Sequence, residues 1–298
     1  MISGFSASPA KSLHFSVDLC YNKLKFSEEY YFTQMKLFFF DYDGTLHQHK
    51  AGTLHHHSTD SISQRTRQAL RALQQAGHKI ILCTGRCYGH LPQAALDLQF
   101  DCYATACGAA TFIDGTLAWE RRMDSQLLLQ SMQLFEDWQL DGAVEGEKRV
   151  LFYHLASPEP NIVPEVHSFS EYVAQFRDMP VHKLTLFRVP MPKAVEQFIH
   201  DHNLSIINNS NIYYEIIQKG QHKGKAIEDI AAYYHIPISD TYCFGDSMND
   251  AAMLRTAGHS VVVGNAPAEV QVLADEVTLP VQEDGVACWI ENFLHSNS

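Results

Sequence analysis

Short apolar runs recur along the chain, and each one stops abruptly at a glycine, a hydroxyl residue or an acid. The first run, Leu37 to Phe40, is apolar at every position, which is typical of a parallel strand covered on both faces. The same pattern returns at 79–83, 102–106, 241–244 and 260–263. Stretches with apolar residues at helical spacing separate these runs. The alternation predicts an α/β fold with a Rossmann-like parallel sheet.

The helix expected after the first strand has apolar residues on one face at 62, 69, 70 and 73. Ser58 or Asp60 is suited to cap its start, and Gly77 to end it. A polar stretch precedes it and contains His47, His49, His55, His56 and His57. A zinc site is one interpretation, but no helical i, i+4 pair is backed by an acid, so we expect a surface loop. Another helix is predicted from about residue 89 to 98.

The pattern changes between residues 117 and 212, where helical stretches alternate with short strand candidates that end without acids. Helices are expected at 125–138, 168–176 and 192–202, and strands at 150–154, 182–188 and 204–207. We therefore predict an inserted α+β cap domain at 117–212 and a core formed by 35–116 and 213–298.

Residues 1–34 have no clear period and lack the pattern of a secretory signal. Met35 stands just before the first strand. We predict that 1–34 is an N-terminal extension, either loosely docked or disordered, or the product of an upstream start site.

Composition narrows the class of protein. The 298 residues carry a formal net charge of -12 without a cluster of Lys and Arg, which argues against nucleic-acid and anionic-membrane partners. The longest apolar runs are strand-sized, too short to span a membrane. Seven scattered cysteines, often within apolar segments, favour a reducing cytoplasm over a disulfide framework. A small molecule is the expected partner, and the oligomeric state is left open.

The most informative residues follow the first strand, in the segment Asp41-Tyr42-Asp43-Gly44-Thr45. Ligands of open α/β sheets bind where loops leave the carboxyl ends of the strands, so Asp41 and Asp43 are predicted to lie at the binding edge. Carboxylates this close repel each other, and a hard cation such as Mg²⁺ suits their oxygens. Gly44 allows a tight turn beside a ligand. An Asp-Gly turn without chemistry is the alternative for an isolated match.

Three later segments carry polar residues at comparable places. Thr84-Gly85-Arg86 follows the second strand, where a hydroxyl and backbone N–H groups can hold phosphate oxygens. Lys223 stands at a helix start, where its charge adds to the positive end of the helix dipole. Asp246 directly follows another strand, and Asp250, one helical turn further, is suited to orient the other groups from behind. Taken alone, a Thr-Gly-Arg segment is most often just a turn, and a lysine before a helix is usually solvated.

In this order, the four segments resemble the motifs of the haloacid dehalogenase-like (HAD) hydrolase superfamily. The resemblance is closest to the Cof-type phosphatases, which carry a large C2-type cap after the second motif, and it extends from Met35 to the C-terminus. It implies a Mg²⁺-dependent phosphatase that hydrolyses small phosphomonoesters, such as sugar phosphates or phosphorylated cofactors.

The resemblance also implies a role for each residue. Asp41 would be the nucleophile that forms an aspartyl-phosphate, and Asp43 the general acid and base. The carboxylates of Asp41 and Asp246 and the backbone carbonyl of Asp43 would hold the metal, with Asp250 behind them. The residues expected to bind the transferring phosphoryl group are Thr84, Gly85, Asn249 and Lys223, the last also as a catalytic residue.

Two positions depart from the family's pattern. Cys107 replaces the usual Asn, which puts contacts with the closing cap or the leaving group in doubt, and Tyr42 replaces an aliphatic residue and is expected to pack against a helix. Cap side chains should choose the substrate, although we favour a solvated turn for the candidates Glu145, Lys148 and Arg149. A phosphotransferase or mutase with the same nucleophile, and a non-catalytic binding protein on this fold, are the alternative functions.

Overall fold

The structure is a computed structural model that describes residues 34–48, 62–153, 166–187, 190–209 and 212–297. The predictions for 1–33 and for the histidines at 49 and 55–57 lie outside these residues. The strands and helices, in chain order, are β1 (Leu37–Phe40), α1 (Gln64–Gln75), β2 (Lys79–Cys83), α2 (Gln93–Leu96), β3 (Cys102–Thr105), β4 (Ala110–Ile113), β5 (Thr116–Glu120), α3 (Ser125–Asp137), β6 (Gly142–Gly146), β7 (Val150–Tyr153), α4 (Phe169–Phe176), β8 (Val181–Leu186), α5 (Lys193–Asp201), β9 (Leu204–Asn209), β10 (Tyr213–Gln218), α6 (Lys223–Tyr234), β11 (Thr241–Gly245), α7 (Ala251–Thr256), β12 (His259–Val262), α8 (Ala268–Gln271), β13 (Glu276–Val277) and α9 (Gly285–Ser296).

The core is an eight-stranded sheet in the order β13-β12-β11-β1-β2-β3-β4-β5. The strands from β13 to β3 are parallel, and β4 and β5 extend the sheet as antiparallel neighbours. All four residues of β1 are fully buried. Phe38 and Phe40 pack with residues of α1 and α9 on one face, while Leu37 and Phe39 pack with α6 and α7 on the other. The predicted α/β fold, with its doubly covered parallel sheet, is confirmed.

Two helix predictions for the core were wrong in detail. Helix α1 starts after Ser63, whose hydroxyl accepts the N–H of Thr66, so the cap is neither Ser58 nor Asp60. The helix expected over 89–98 is instead a short 3₁₀ turn followed by the single-turn helix α2. Pro92 is extended and starts α2. A proline lacks the N–H needed inside a helix and restricts the residue before it to extended backbone, which explains the interruption.

The inserted domain is a five-stranded antiparallel sheet in the order β7-β6-β8-β10-β9. Side chains that alternate along its strands, such as Val144, Leu184 and Ile216, form an apolar core with α3, α4 and α5. The predicted inserted α+β cap is therefore present. The cap rests on the core near the loop after β2, where the N–H of Gly89 donates to the carbonyl of Glu147 at 3.0 Å.

The sheet assignments move both cap boundaries that the sequence predicted. Residues Thr116–Glu120 pair with β4 and belong to the core sheet, so the insertion starts after 120 rather than at 117. Residues Tyr213–Gln218 pair with β8 and β9, so the cap extends to 218 rather than 212. Both strands lie next to the points where the chain passes between the core and the cap. Which sheet each of them joins is set by its pairing partners.

Substitution Phe38→Ala tests the central strand. The ring of Phe38 stacks on Tyr242 at 4.8 Å between centroids and meets the edge of Phe293 on α9 at 5.2 Å. We expect the loss of buried area and the resulting cavity to lower the free energy of unfolding by about 3–5 kcal/mol in urea denaturation. Val272→Ala, at a side chain that is 80% exposed, is the control and should change it by less than about 0.5 kcal/mol. Equal effects of the two substitutions would contradict this packing.

Candidate active site

Loops from distant parts of the sequence meet at one edge of the core sheet. Strands β11, β1 and β2 are parallel neighbours, so their carboxyl ends lie side by side. Asp41 follows β1, Thr84 follows β2, and Asp246 follows β11. Helix α6 begins beside them with Lys223. The topology alone therefore brings together segments that are far apart in the chain.

Three carboxylates form a cluster at this edge. One oxygen from each of Asp41, Asp246 and Asp250 lies within 4.8 Å of the others. Asp41 and Asp250 are buried, and Asp246 is partly buried. These are the residues that the first and fourth motifs were expected to supply. The cluster can hold a divalent cation, because closely spaced carboxylate oxygens are the ligands that Mg²⁺ accepts.

Lys223 is fully buried and joins two of these acids. Its ammonium donates to Asp41 Oδ1 at 2.5 Å and to Asp250 Oδ1 at 2.7 Å. The second oxygen of Asp250 accepts the backbone N–H groups of Asp246 and Ser247 at 2.9 and 3.0 Å. Asp250 thus orients both the lysine and the loop that carries Asp246, as its predicted place behind the site requires.

The single positive charge of Lys223 does not balance the negative charges of three carboxylates. Burial raises the pKa of Asp41 to about 7, although Lys223 opposes the shift. Burial also raises the pKa of Asp246 well above its usual value, and the neighbouring carboxylates Asp41 and Asp250 add to this. Although burial alone would lower it, the acids raise the pKa of Lys223 well above its usual value. A second cation at this cluster would stabilise the ionised carboxylates, so the residues present fit a metal ion.

The side chain of Asp43 is not one of these three carboxylates and forms an ion pair with Arg86. Arg86 donates to both of its oxygens, from Nε at 2.7 Å and from Nη2 at 2.6 Å. The guanidinium also lies 5.0 Å from the ring centroid of Tyr42, which in turn stacks on His47. The sequence analysis assigned Arg86 no role of its own. Its partner Asp43 is 43 residues away in the chain, so the sequence around Arg86 gave no signal of this pair.

Tyr42 is buried in the apolar cluster that includes residues of α1 and α9, as predicted, and it also contacts His47 and Arg86. His47 differs from its predicted surroundings, because it is buried rather than part of a surface loop. The reason is the tight turn after β1, in which the N–H of Gly44 donates to the carbonyl of His47 at 2.7 Å.

The remaining predicted phosphate ligands border the carboxylates. Thr84 is buried, and its hydroxyl accepts the N–H of Arg86 at 3.1 Å. Asn249 accepts a hydrogen bond from the hydroxyl of Ser247 at 2.9 Å. A Cβ placed on Gly85 would lie 3.7 Å from Nδ2 of Asn249, so the loops after β2 and β11 approach each other here. Their roles in binding phosphate stay predictions.

Gly44 is required at the centre of the site. Its φ is +86°, a left-handed conformation that side chains disfavour, and a Cβ there would lie 2.0 Å from Oδ2 of Asp246. Any larger residue would therefore displace the Asp246 carboxylate. The sequence predicted a tight turn that makes room for a ligand, whereas the group that a Cβ would meet is Asp246 itself.

The cap supplies charged residues that the sequence analysis missed. Lys183 and Glu215 are buried at the middle of β8 and β10 and pair with each other. Glu145, for which a solvated turn was favoured, is also buried and accepts from Thr185 at 2.5 Å. Lys148 and Arg149 are both exposed, as expected, and the guanidinium of Arg149 also lies 4.9 Å from the ring centroid of Phe176. A charged residue within an apolar strand was the available signal.

Cys107 lies where the cap meets the core. Its φ of 56° is left-handed, a conformation in which Asn is far more common than Cys. The thiol approaches both carboxylate oxygens of Glu215 at 3.8 Å. The departure from the family's usual Asn therefore bears on contacts with the cap, as expected from the sequence.

A parallel sheet with a carboxylate cluster at its carboxyl edge, a buried lysine and an inserted cap defines an α/β protein with a capped polar site. The chain belongs to the haloacid dehalogenase-like hydrolases, because the model of that family matches residues 38–290.

Named relatives and solved structures agree with this assignment. The chain is 24% identical to phosphatase YwpJ of Bacillus subtilis over 87% of this chain and 100% of the relative. It is 26% identical to 5-amino-6-(5-phospho-D-ribitylamino)uracil phosphatase YwtE of the same organism, over 87% and 98%. The structure of the HAD subclass IIB sugar phosphatase BT4131 superposes with a TM-score of 0.71 at 25% identity, covering 87% of this chain and 99% of that one. These findings confirm the predicted Cof-type phosphatase, a phosphoric monoester hydrolase.

Substitution Gly44→Ala tests the geometry of the carboxylates. We expect phosphatase activity to fall at least about tenfold, because the methyl group displaces Asp246. Gly77→Ala is the matched control: Gly77 has a φ of +87°, but a Cβ there meets no atom within 4 Å. Both variants should lose similar free energy of unfolding through backbone strain, while only Gly44→Ala loses activity. Comparable activity in the two variants would contradict the assigned role of Gly44.

Proposed function

We propose that the chain is a Mg²⁺-dependent phosphatase that hydrolyses small phosphomonoesters, such as sugar phosphates or phosphorylated cofactors, through an aspartyl-phosphate intermediate. The observation that carries the proposal is the contact of Asp41 with Lys223 beside Asp246 and Asp250. A nucleophile, a fixed cation and a candidate metal site thus occupy one buried edge.

In the first step the Asp41 carboxylate attacks phosphorus. A bond forms between its oxygen and phosphorus as the bond from phosphorus to the leaving oxygen breaks, and Asp43 gives a proton to that oxygen. Lys223 stabilises the charge on the phosphoryl oxygens, together with Thr84 and Asn249. Arg86 pairs with both oxygens of the Asp43 carboxylate in this structure, so Asp43 must turn away from Arg86 and take up a proton before it serves as the acid.

In the second step water attacks the aspartyl-phosphate. Asp43, now ionised, accepts a proton from this water, and the bond between Asp41 and phosphorus breaks to release inorganic phosphate. Splitting the displacement in two gives each step a good leaving group and a positioned acid or base.

The carboxylates of Asp41 and Asp246, with the backbone carbonyl of Asp43, are the proposed metal ligands. When bound, Mg²⁺ would offset the repulsion between the anionic nucleophile and the anionic substrate. The raised pKa values of Asp41 and Asp246 support a cation at this place.

The relatives support small phosphorylated substrates. YwtE is a phosphatase of 5-amino-6-(5-phospho-D-ribitylamino)uracil, and BT4131 is a sugar phosphatase. No helix within the described ranges has the length and apolar character needed to cross a membrane. The described cysteines are all free thiols, which supports the proposed cytoplasmic location.

Substitution Asp41→Asn tests the mechanism. With Mg²⁺ present, we expect release of inorganic phosphate from p-nitrophenyl phosphate and from a panel of phosphorylated metabolites to fall at least about a thousandfold, because the amide is a poor nucleophile. Asp97→Asn, at an exposed position on the core, is the matched control and should keep full activity. Chelation by EDTA should abolish turnover in the wild type and added Mg²⁺ should restore it.

Turnover that persists in Asp41→Asn would contradict the proposal. Conversion of sugar phosphates into isomers without release of phosphate would point to the mutase alternative instead.

A further inference from the structure

One face of the cap sheet is charged although it is buried. Along β6, β8 and β10, the residues that alternate with the apolar core positions include Glu145, Lys183 and Glu215, here called the cap triad. They are 7%, 4% and 2% exposed. Charged residues are seldom buried unless they are paired, so three of them buried on one face of a sheet call for a specific explanation.

The members of the cap triad are held together across neighbouring strands. Lys183 pairs with Glu215 and lies 3.2 Å from Glu145 Oε1. Asn209 donates to Glu215 Oε2 at 3.0 Å, and Thr185 donates to Glu145. These contacts orient the charged groups before any ligand arrives.

The cap triad borders the proposed phosphate site. A Cβ placed on Gly85, next to Thr84, would lie 3.1 Å from Glu215 Oε1, and Cys107 of the core approaches the same carboxylate. Strand β9, which carries Asn209, contacts the turn Met248–Asp250. A phosphomonoester with its phosphoryl group at Asp41 would thus direct its leaving group toward this face of the cap.

The charges of the cap triad do not balance. Two carboxylates face one ammonium, and burial raises the pKa of Glu145 despite Lys183. The nearby cations Arg86 and Lys223 are already paired with Asp43, Asp41 and Asp250. A hydroxyl or ammonium group on a ligand can donate to the surplus carboxylate, whereas a second anion would meet repulsion at low dielectric.

Resting on the phosphatase function proposed above, we infer that Glu145, Lys183 and Glu215 form the leaving-group subsite. It selects phosphomonoesters whose leaving group donates hydrogen bonds and carries no negative charge, and it rejects those with a carboxylate or a second phosphate.

Three probes that differ in one group test this selection. Sorbitol 6-phosphate, 6-phosphogluconate and 1-amino-1-deoxysorbitol 6-phosphate carry a hydroxymethyl, a carboxylate and an aminomethyl group at the same carbon. We expect the wild type to hydrolyse the hydroxymethyl and aminomethyl probes with a kcat/KM at least about tenfold above that of the carboxylate probe, mostly through KM.

Glu215→Gln and Glu145→Gln each remove one carboxylate, which leaves the cap triad without a surplus negative charge. Either substitution should reduce this ratio at least about threefold. Glu228→Gln, an exposed residue of α6 that pairs with Lys225, makes the same chemical change elsewhere and should leave the ratio unchanged. Because the ratio is measured within each variant, a general loss of activity cancels. Calorimetric binding of the probes to Asp41→Asn should show the same order of affinity without turnover.

Equal kcat/KM for the three probes in the wild type, with p-nitrophenyl phosphate still hydrolysed, would overturn the subsite while leaving the phosphatase function intact. An unchanged ratio in both Glu→Gln variants would also overturn it and leave the cap triad a structural contact. Absence of phosphate release from every compound would instead refute the proposed function itself.

Discussion

The site depends on holding three carboxylates around one buried ammonium. Asp41, Asp246 and Asp250 would repel one another if they were left uncompensated, and Lys223 supplies only part of the positive charge. The structure maintains this arrangement with backbone N–H groups that hold Asp250 and with a glycine that leaves room for Asp246. The excess of carboxylates over ammonium groups is the reason we propose that this edge binds a metal ion.

The sheet topology makes this concentration of charge possible. Strand β1 is fully buried between two helical layers, so its end is rigid and can carry Asp41 at a fixed position. The parallel neighbours β2 and β11 then deliver residues from two other parts of the chain to the same edge, and the start of helix α6 adds Lys223. The cap sheet has two different faces. Its apolar face packs against its own helices, and the face with the cap triad lies toward the core.

The sequence was sufficient to predict the structure where the local apolar pattern and the chemistry of the residues point to the same arrangement. The buried run before Asp41, the order of the four motifs and the Gly44 turn predicted the core and the residues that meet there. It was insufficient where pairing depends on distant partners. Nothing local shows that Arg86 faces Asp43, and the cap boundary at 218 depends on the sheet that β10 joins.

The cap residues illustrate the same limit. A lone Lys183 or Glu215 within an apolar strand signals something unusual, but the compensating partner lies on another strand. Glu145 was expected in a solvated turn because a charged residue near Gly146 and Lys148 fits that interpretation. Only the antiparallel register shows it opposite Lys183.

A crystal structure of the protein grown with Mg²⁺ tests the central claim most directly. The account predicts one ion bound to a carboxylate oxygen of both Asp41 and Asp246, at about 2.0–2.1 Å from each. An active protein whose crystals show no ion between these two residues, or an ion held by other side chains, would contradict it.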